Sequence, residues 1–206
     1  MPIEVILIDA DGVIQYAPED WSAAFARCLA HDDPALARKF TADIFAAETA
    51  CLARADGFDE ALHDVLKTWD RIDQKAFVLE AMLSIRHHNE VLDVLRAVRA
   101  NGTRCYIASN QQAQRASFMS TKLGYASMFD GELYSCHLGA AKPSDLYFEL
   151  ALKTVGSDAA STLFIDDRPE NVAGAKRVGL ASFVYDGRSG VDVLKSHLQS
   201  FGISTS

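Results

Sequence analysis

Apolar residues are distributed along this chain with two different periods, and the change between them divides it. Ile3 to Ile8 is a short apolar run with Val5, Ile6, Leu7 and Ile8 consecutive, closed by Asp-Ala-Asp-Gly. A β-branched run of that length predicts a strand buried on both faces of a parallel sheet. From about Asp20 to Arg86 the apolar positions recur at helical spacing, which predicts helices over Trp21–Ala30, Pro34–Ala53, Asp59–Lys67 and Asp73–Leu83. Ala55-Asp56-Gly57 reads as a break between two of them, and no strand is predicted there.

Beyond Arg86 short apolar runs alternate with helical patterns. Helices are predicted over Glu90–Ala100 (with Asn89 as cap), Gln111–Leu123, Asp145–Val155 (with Ser144 as cap), Pro169–Val178 and Val191–Phe201. Strands are predicted over Thr103–Ala108, within Met128–Tyr134, and over Thr162–Ile165 and Leu180–Tyr185. This alternation predicts a doubly wound, mostly parallel α/β sheet, whose ligand site lies beyond the carboxyl ends of the strands. The helical stretch then becomes an insertion after the first strand. The expected organisation is an α/β core from residues 1–14 and 86–206, with a helical cap over 15–85. Neither an internal repeat nor a low-complexity linker interrupts it.

Composition narrows the function. The 206 residues carry a net charge of −8, with 49% hydrophobic and 23% charged residues, as in ordinary globular chains. No Lys/Arg run forms the basic patch of a nucleic-acid binder. An acidic protein that binds phosphate does so against its own field, and a divalent cation is the usual remedy. Cys28, Cys51, Cys105 and Cys136 are far apart and form no CxxC pair, so neither zinc nor redox chemistry is indicated. The N-terminal segment lacks the features of a signal peptide, and its apolar run is too short to span a bilayer. A reduced, cytoplasmic setting is expected.

Four groups of polar residues fall at predicted strand ends. Asp9 and Asp11 leave the first strand two positions apart, which points them to the same side. Two carboxylates so close need a cation between them, or one keeps a proton. A carboxylate beside a cation can attack phosphorus, and a partly protonated neighbour can move protons. Ser109-Asn110 ends the Tyr106-Ile107-Ala108 strand, where a hydroxyl, an amide and a helix N-terminus can hold phosphate oxygens. Lys142 precedes the helix starting near Asp145 and can neutralise a phosphate together with an anionic nucleophile. Asp166 and Asp167 follow Leu163-Phe164-Ile165 and suit a hard cation, Asp166 directly and Asp167 either directly or through its neighbours. Each group alone reads equally as a turn, a helix cap or an exposed loop residue. Their joint placement on one sheet edge is what makes a site.

Taken together, Asp9-Ala10-Asp11-Gly12-Val13, Ser109-Asn110, Lys142-Pro143 and Asp166-Asp167 resemble the four motifs of the haloacid dehalogenase superfamily, the stretch FIDDRPENVAGAKRVGL most closely. The likeness extends over the whole chain and is nearest to the small helical-cap phosphatases, which include sugar-phosphate phosphatases. It implies a Rossmann-like core, an Asp9 nucleophile, Asp11 as general acid/base, phosphoryl binding by Ser109 and stabilisation by Lys142. Asn110 is a familiar companion of Ser109 in such motifs. The resemblance further implies Mg²⁺ held by the carboxylates of Asp9 and Asp166 and by the backbone carbonyl of Asp11, with Asp167 nearby. The founding dehalogenases lack the second aspartate of the first motif, so Asp11 favours phosphate over halide. The expected activity is hydrolysis of a small phosphorylated metabolite, without nucleic-acid or membrane partners. A sugar phosphomutase and a non-catalytic phosphate-binding protein are the alternatives.

Other residues carry less. His87 and His88 are adjacent near the expected return from cap to core and read as hinge or surface residues. His31, His63, His137 and His197 lack ligand spacing. Trp21, Trp69 and the cap phenylalanines read as packing. Tyr16, Glu48, Arg54 and Asp56 lie where a cap could touch substrate. Cys105 is expected to be buried and inert.

Overall fold

The computed structural model describes residues 2–29 and 33–205. Its centre is β1 (Val5–Ile8), every residue of which is buried. β4 (Arg104–Ser109) pairs with one side of β1 and β6 (Thr162–Asp166) with the other, both parallel. β5 (Gly131–Tyr134) and β7 (Ala181–Val184) extend the sheet to the order β5-β4-β1-β6-β7, parallel throughout. The predicted doubly wound, Rossmann-like α/β sheet is therefore present.

Successive side chains of β1 point to opposite faces. Ile6 and Ile8 join one hydrophobic cluster with Val91, Leu95 and Val98 of α5 (Asn89–Ala100), Met119 of α6 (Ala113–Thr121), and Leu194 and Leu198 of α11 (Val191–Ser200). Val5 and Leu7 join a second with Tyr147, Phe148 and Ala151 of α9 (Asp145–Val155), and Val172 and Ala175 of α10 (Pro169–Arg177). Each fully buried aliphatic side chain contributes about 1.5–3 kcal/mol, so β1 is anchored from both faces. In register, Ile8 lies level with Ile107 and Ile165. The Asp9 N–H continues the ladder by donating to Ile165 O at 2.9 Å. Asp9, Ser109 and Asp166 thus emerge together at one edge.

Between the first strand and the rest of the sheet, α1 (Trp21–Ala26), α2 (Pro34–Cys51), α3 (Phe58–Thr68) and α4 (Lys75–Met82) build a separate cluster around Phe25, Phe40, Ile44, Leu62, Leu66 and Val78. The chain enters and leaves this segment through an antiparallel ribbon of β2 (Gln15–Tyr16) and β3 (Arg86–His87), reinforced by the His88 N–H donating to Ile14 O at 2.9 Å. Among the described residues no helix is long and apolar enough to cross a membrane.

Several boundaries differ from the sequence expectation. The first inserted helix ends at Ala26, and the predicted end at Ala30 lies outside the described residues, as does His31. Asn89 is already helical and makes no side-chain cap, and Ser144 makes none either. The Gln111 N–H is bound by Ser135 Oγ at 3.0 Å, so α6 starts only at Ala113, with Gln112 as its cap. Tyr125–Met128 is a helical turn (α7), and the short strand expected within Met128–Tyr134 is β5. A further turn of helix, α8, covers Ser135–Leu138.

Candidate active site

Lys142 organises the sheet edge. Its ammonium is buried, 2.9 Å from Asp9 Oδ1 and 2.6 Å from Asp166 Oδ2, and donates to Ala108 O at 2.7 Å. Asn110 fixes the lysine's backbone: Oδ1 accepts from the Lys142 N–H and Nδ2 donates to Lys142 O, both at 2.9 Å. The amide expected to meet substrate is therefore committed to placing the lysine. Asp166 is itself held by the Arg168 N–H at 2.9 Å and by Asn171 Nδ2 at 3.0 and 3.1 Å. Ser109 Oγ accepts from Gln111 Nε2 at 3.2 Å.

Asp11 departs from expectation. The chain does not stay extended past Asp9: the N–H groups of Ile14 and Gln15 both converge on Ala10 O at 3.0 Å, and Gly12 takes a φ of +83°. This turn is tight enough that a Cβ on Gly12 would meet Asp167 Oδ2 at 2.4 Å, which restricts the position to glycine. Asp11 is thereby turned away from Asp9 and into a nest of donors. Both of its oxygens are gripped by the Arg115 guanidinium (Nη2 to Oδ1 at 2.8 Å), with Gln15 Nε2 at 2.9 Å and Gln111 Nε2 at 2.7 Å. Burial would raise the Asp11 pKa, but Arg115 and the two glutamines outweigh it and hold the group down at about 2. Asp9 goes the other way. Burial, only partly offset by Lys142, pushes it up to about 7. With its oxygens committed to these donors Asp11 shares no proton with Asp9, although both line the same cavity and the charge of Asp11 adds to the rise of Asp9.

Arg115 was not found from sequence. It reads as an ordinary polar residue of an amphipathic helix, and its one local signal is the i, i+4 spacing from Gln111, whose Oε1 accepts from Nη1 at 2.8 Å. It also spans the molecule. Nε donates to Met82 O at 3.0 Å at the end of α4, and the guanidinium lies 5.9 Å from the Trp21 ring centroid.

Asp9, Asp166 and Asp167 each offer a carboxylate oxygen, all within 4.8 Å of one another. Asp9 Oδ1, despite its proximity to Nζ, and Asp167 Oδ1 are buried without an aligned hydrogen bond. Three carboxylates facing one ammonium leave excess negative charge in a dry place, which is unfavourable without a further cation. Oxygen donors of this kind suit a hard divalent ion. The Asp11 carboxylate is outside this group; the contribution expected of Asp11 is its backbone carbonyl, not its side chain.

This makes a pH prediction. Burial raises Asp167 to about 6, with the charge of Asp166 adding to the effect. Asp9 and Asp167 thus bind protons in the folded state where the unfolded chain, near 3.8, has lost them. The stability they contribute is complete below 3.8 and is lost as pH rises to about 7. Asp11 has the opposite sign, but its change falls below this window. Without divalent ions, the melting temperature should fall as pH is raised through that range, and Mg²⁺ should flatten the slope by binding the ionised carboxylates. Equal slopes with Mg²⁺ and with EDTA, by scanning fluorimetry, would contradict the cluster's affinity for a cation.

Above the sheet edge lies a cavity of about 580 Å³. Its floor holds Asp9, Ser109, Lys142 and Asp167, and its far wall is Trp21, Phe45, Glu48, Leu52 and Met82 from the inserted helices. Tyr16 and Glu48, two of the expected substrate contacts, line it. Arg54 and Asp56 do not; they border a separate cavity of about 200 Å³ beside Gly57 and the start of α6. His87 lies in the β2–β3 ribbon and His88 directly after it, a position consistent with a hinge. Cys105 is buried in β4, where burial pushes its thiol up to about 12, leaving it inert.

The sequence model of the haloacid dehalogenase-like hydrolase family matches residues 3–179. A sesquiterpene phosphatase of Aspergillus oryzae is 30% identical over 96 residues, 47% of this chain and 49% of that protein. A haloacetate dehalogenase of a Moraxella species is 31% identical over 100 residues, 48% of this chain and 45% of that protein. The chain spans about half the length of the curated relatives it matches. In fold it is similar to a HAD family enzyme of Bacteroides thetaiotaomicron, solved with magnesium and inorganic phosphate. The TM-score is 0.72 at 20% identity, covering 93% of this chain and 98% of the other. With the family match extending from before β1 into α10, through all the strand ends that build the site, the chain belongs to the haloacid dehalogenase-like hydrolases.

Proposed function

We propose that this hydrolase is a Mg²⁺-dependent phosphatase that cleaves the phosphate monoester of a small metabolite through an aspartyl-phosphate on Asp9. The observation that carries this reading is the convergence of the Asp9, Asp166 and Asp167 carboxylates beside Lys142 at one sheet edge, with Asp167 Oδ1 buried and without a hydrogen bond. One relative is a phosphatase and one similar structure was solved with magnesium and phosphate, which supports the reading; another relative is a dehalogenase.

Asp9, Asp166 and Asp167 would hold Mg²⁺, with the Asp11 carbonyl as a further donor. When bound, the ion would offset charge on the phosphoryl oxygens. An Asp9 oxygen attacks phosphorus in line as the ester P–O bond breaks. Lys142, placed by Asn110, favours the ionised form of Asp9 against its burial and meets the negative charge of the phosphoryl group. Ser109 donates its hydroxyl to that group. In the second step water attacks the phosphorus, the P–O bond to Asp9 breaks, and the water proton passes to a base. Asp11 is ionised in its nest but, held at about 2 by Arg115 and the two glutamines, is a weak base there. For either role Asp11 must leave Arg115 and turn toward Asp9, where its pKa rises; it then carries a proton taken up from solvent to the departing alkoxide in the first step and takes one from the attacking water in the second. Residues 15–85 act as the cap over a core of 1–14 and 86–206, excluding bulk water while the bond breaks. The setting is cytoplasmic.

A panel of phosphorylated metabolites and short 2-haloacids, assayed with Mg²⁺ for phosphate and halide release, tests the reading. Phosphate release from one or more esters is expected, with none in EDTA. Halide release without any phosphate release would overturn it.

A further inference from the structure

In the cap-side half of the cavity the charges do not balance. Arg115 faces it, but both oxygens of Asp11 occupy its guanidinium and Met82 O takes its Nε, so its charge is already matched. Glu48, on α2 one helical turn beyond Phe45, lines the same half. None of the described residues donates a hydrogen bond to its carboxylate or forms an ion pair with it; Arg115 acts on it only at longer range. Its surroundings are aromatic. Trp21 and Phe45 meet edge to face at 5.8 Å, and the Trp21 face already draws one cation in Arg115. Glu48 is half-buried, so its unpaired carboxylate is only partly hydrated, and that cost is relieved by whatever donor a ligand brings. Burial pushes Glu48 up to about 7, with Arg115 acting in the opposite sense, so a cation brought by a ligand would favour its ionised form.

We propose that Glu48 is a specificity-determining residue that selects phosphate esters whose leaving group carries an ammonium group and rejects those carrying a carboxylate. This rests on the phosphatase reading above and names the class of substrate it takes. With phosphate on Lys142 and Ser109, the leaving group extends toward α2. An ammonium there gains a charge-assisted hydrogen bond from Glu48 and the electrostatic attraction of the Trp21 and Phe45 rings. A carboxylate at the same place meets like charge in a poorly hydrated wall.

The test uses a homologous series of n-alkyl phosphates ending in amino, hydroxyl, methyl or carboxylate groups, with Mg²⁺ and p-nitrophenyl phosphate as reference. At the best chain length, kcat/KM for the amino ester should exceed that for the carboxylate ester by about 100-fold, mostly through KM. Glu48→Gln should bring that ratio to within roughly threefold, the ratio being taken within each variant so that any common change in turnover cancels, and Glu48→Lys should invert it. A wild-type preference for the hydroxyl or carboxylate ester overturns the inference, as does a ratio that survives Glu48→Gln. If the wild type releases nothing from p-nitrophenyl phosphate, the phosphatase reading itself has failed. If it turns over that ester without discriminating in the alkyl series, only the role of Glu48 has.

Discussion

Replacing Asp9 with asparagine is expected to lower kcat for p-nitrophenyl phosphate by roughly 10⁴-fold or more, because the amide removes the attacking oxygen rather than weakening a contact. The substitution is close to isosteric, so the fold should survive it. Stability even gives an independent check. Asp9 is buried and its pKa is raised to about 7, so above that pH its charge is a burden on the metal-free fold. Asp9→Asn removes this burden, and Lys142 keeps Asp166 at 2.6 Å. In EDTA above pH 7 the variant should therefore melt at or above the wild-type temperature while being inactive. A large drop in melting temperature would mean that lost activity reports misfolding; wild-type turnover would mean that Asp9 is not the nucleophile.

The second large effect is expected at Lys142. Lys142→Met keeps an unbranched, apolar stem but deletes the ammonium between Asp9 and Asp166. Three carboxylates then face one another at the sheet edge, and a buried pair broken on one side costs about 3–5 kcal/mol. The variant should unfold more easily in EDTA, and Mg²⁺ should recover much of the loss because the cation replaces the missing positive charge. Activity should not recover with it, since the group that meets the phosphoryl charge is gone; a fall of about 10³-fold in kcat is expected. Denaturant melts in EDTA and in Mg²⁺, beside rates at saturating Mg²⁺, separate the two roles. Wild-type stability in EDTA would show that the lysine does not neutralise the cluster.

The parts of this molecule legible in its sequence are those set by local pattern. Val5–Ile8, Tyr106–Ala108 and Leu163–Ile165 are apolar runs that only a sheet covered on both faces can bury. Parallel pairing then delivers Asp9, Ser109 and Asp166 to one edge. Lys142 arrives there by a loop whose path no periodicity states; its placement depends on Asn110, which reads in sequence as a ligand-facing amide. The Asp11 nest was illegible for a related reason. Its partners Gln111 and Arg115 lie about a hundred positions away, and the period-two argument fails once the chain turns at Gly12. The β2–β3 ribbon has two residues per strand, too few to show an alternation. Arg54 and Asp56 were expected at the cavity by chain position alone, whereas the face of α2 that turns inward carries Phe45, Glu48 and Leu52.

The covalent intermediate is the centre of the proposal, and rapid-quench trapping tests it most directly. Protein mixed with Mg²⁺ and a radiolabelled phosphate monoester, quenched in acid within one turnover and digested, should yield a single labelled peptide spanning Asp9. The label should be stable to acid and lost in base or hydroxylamine, as acyl phosphates are, and absent from Asp9→Asn. Turnover with no trapped label, or label on any other residue, would contradict the account.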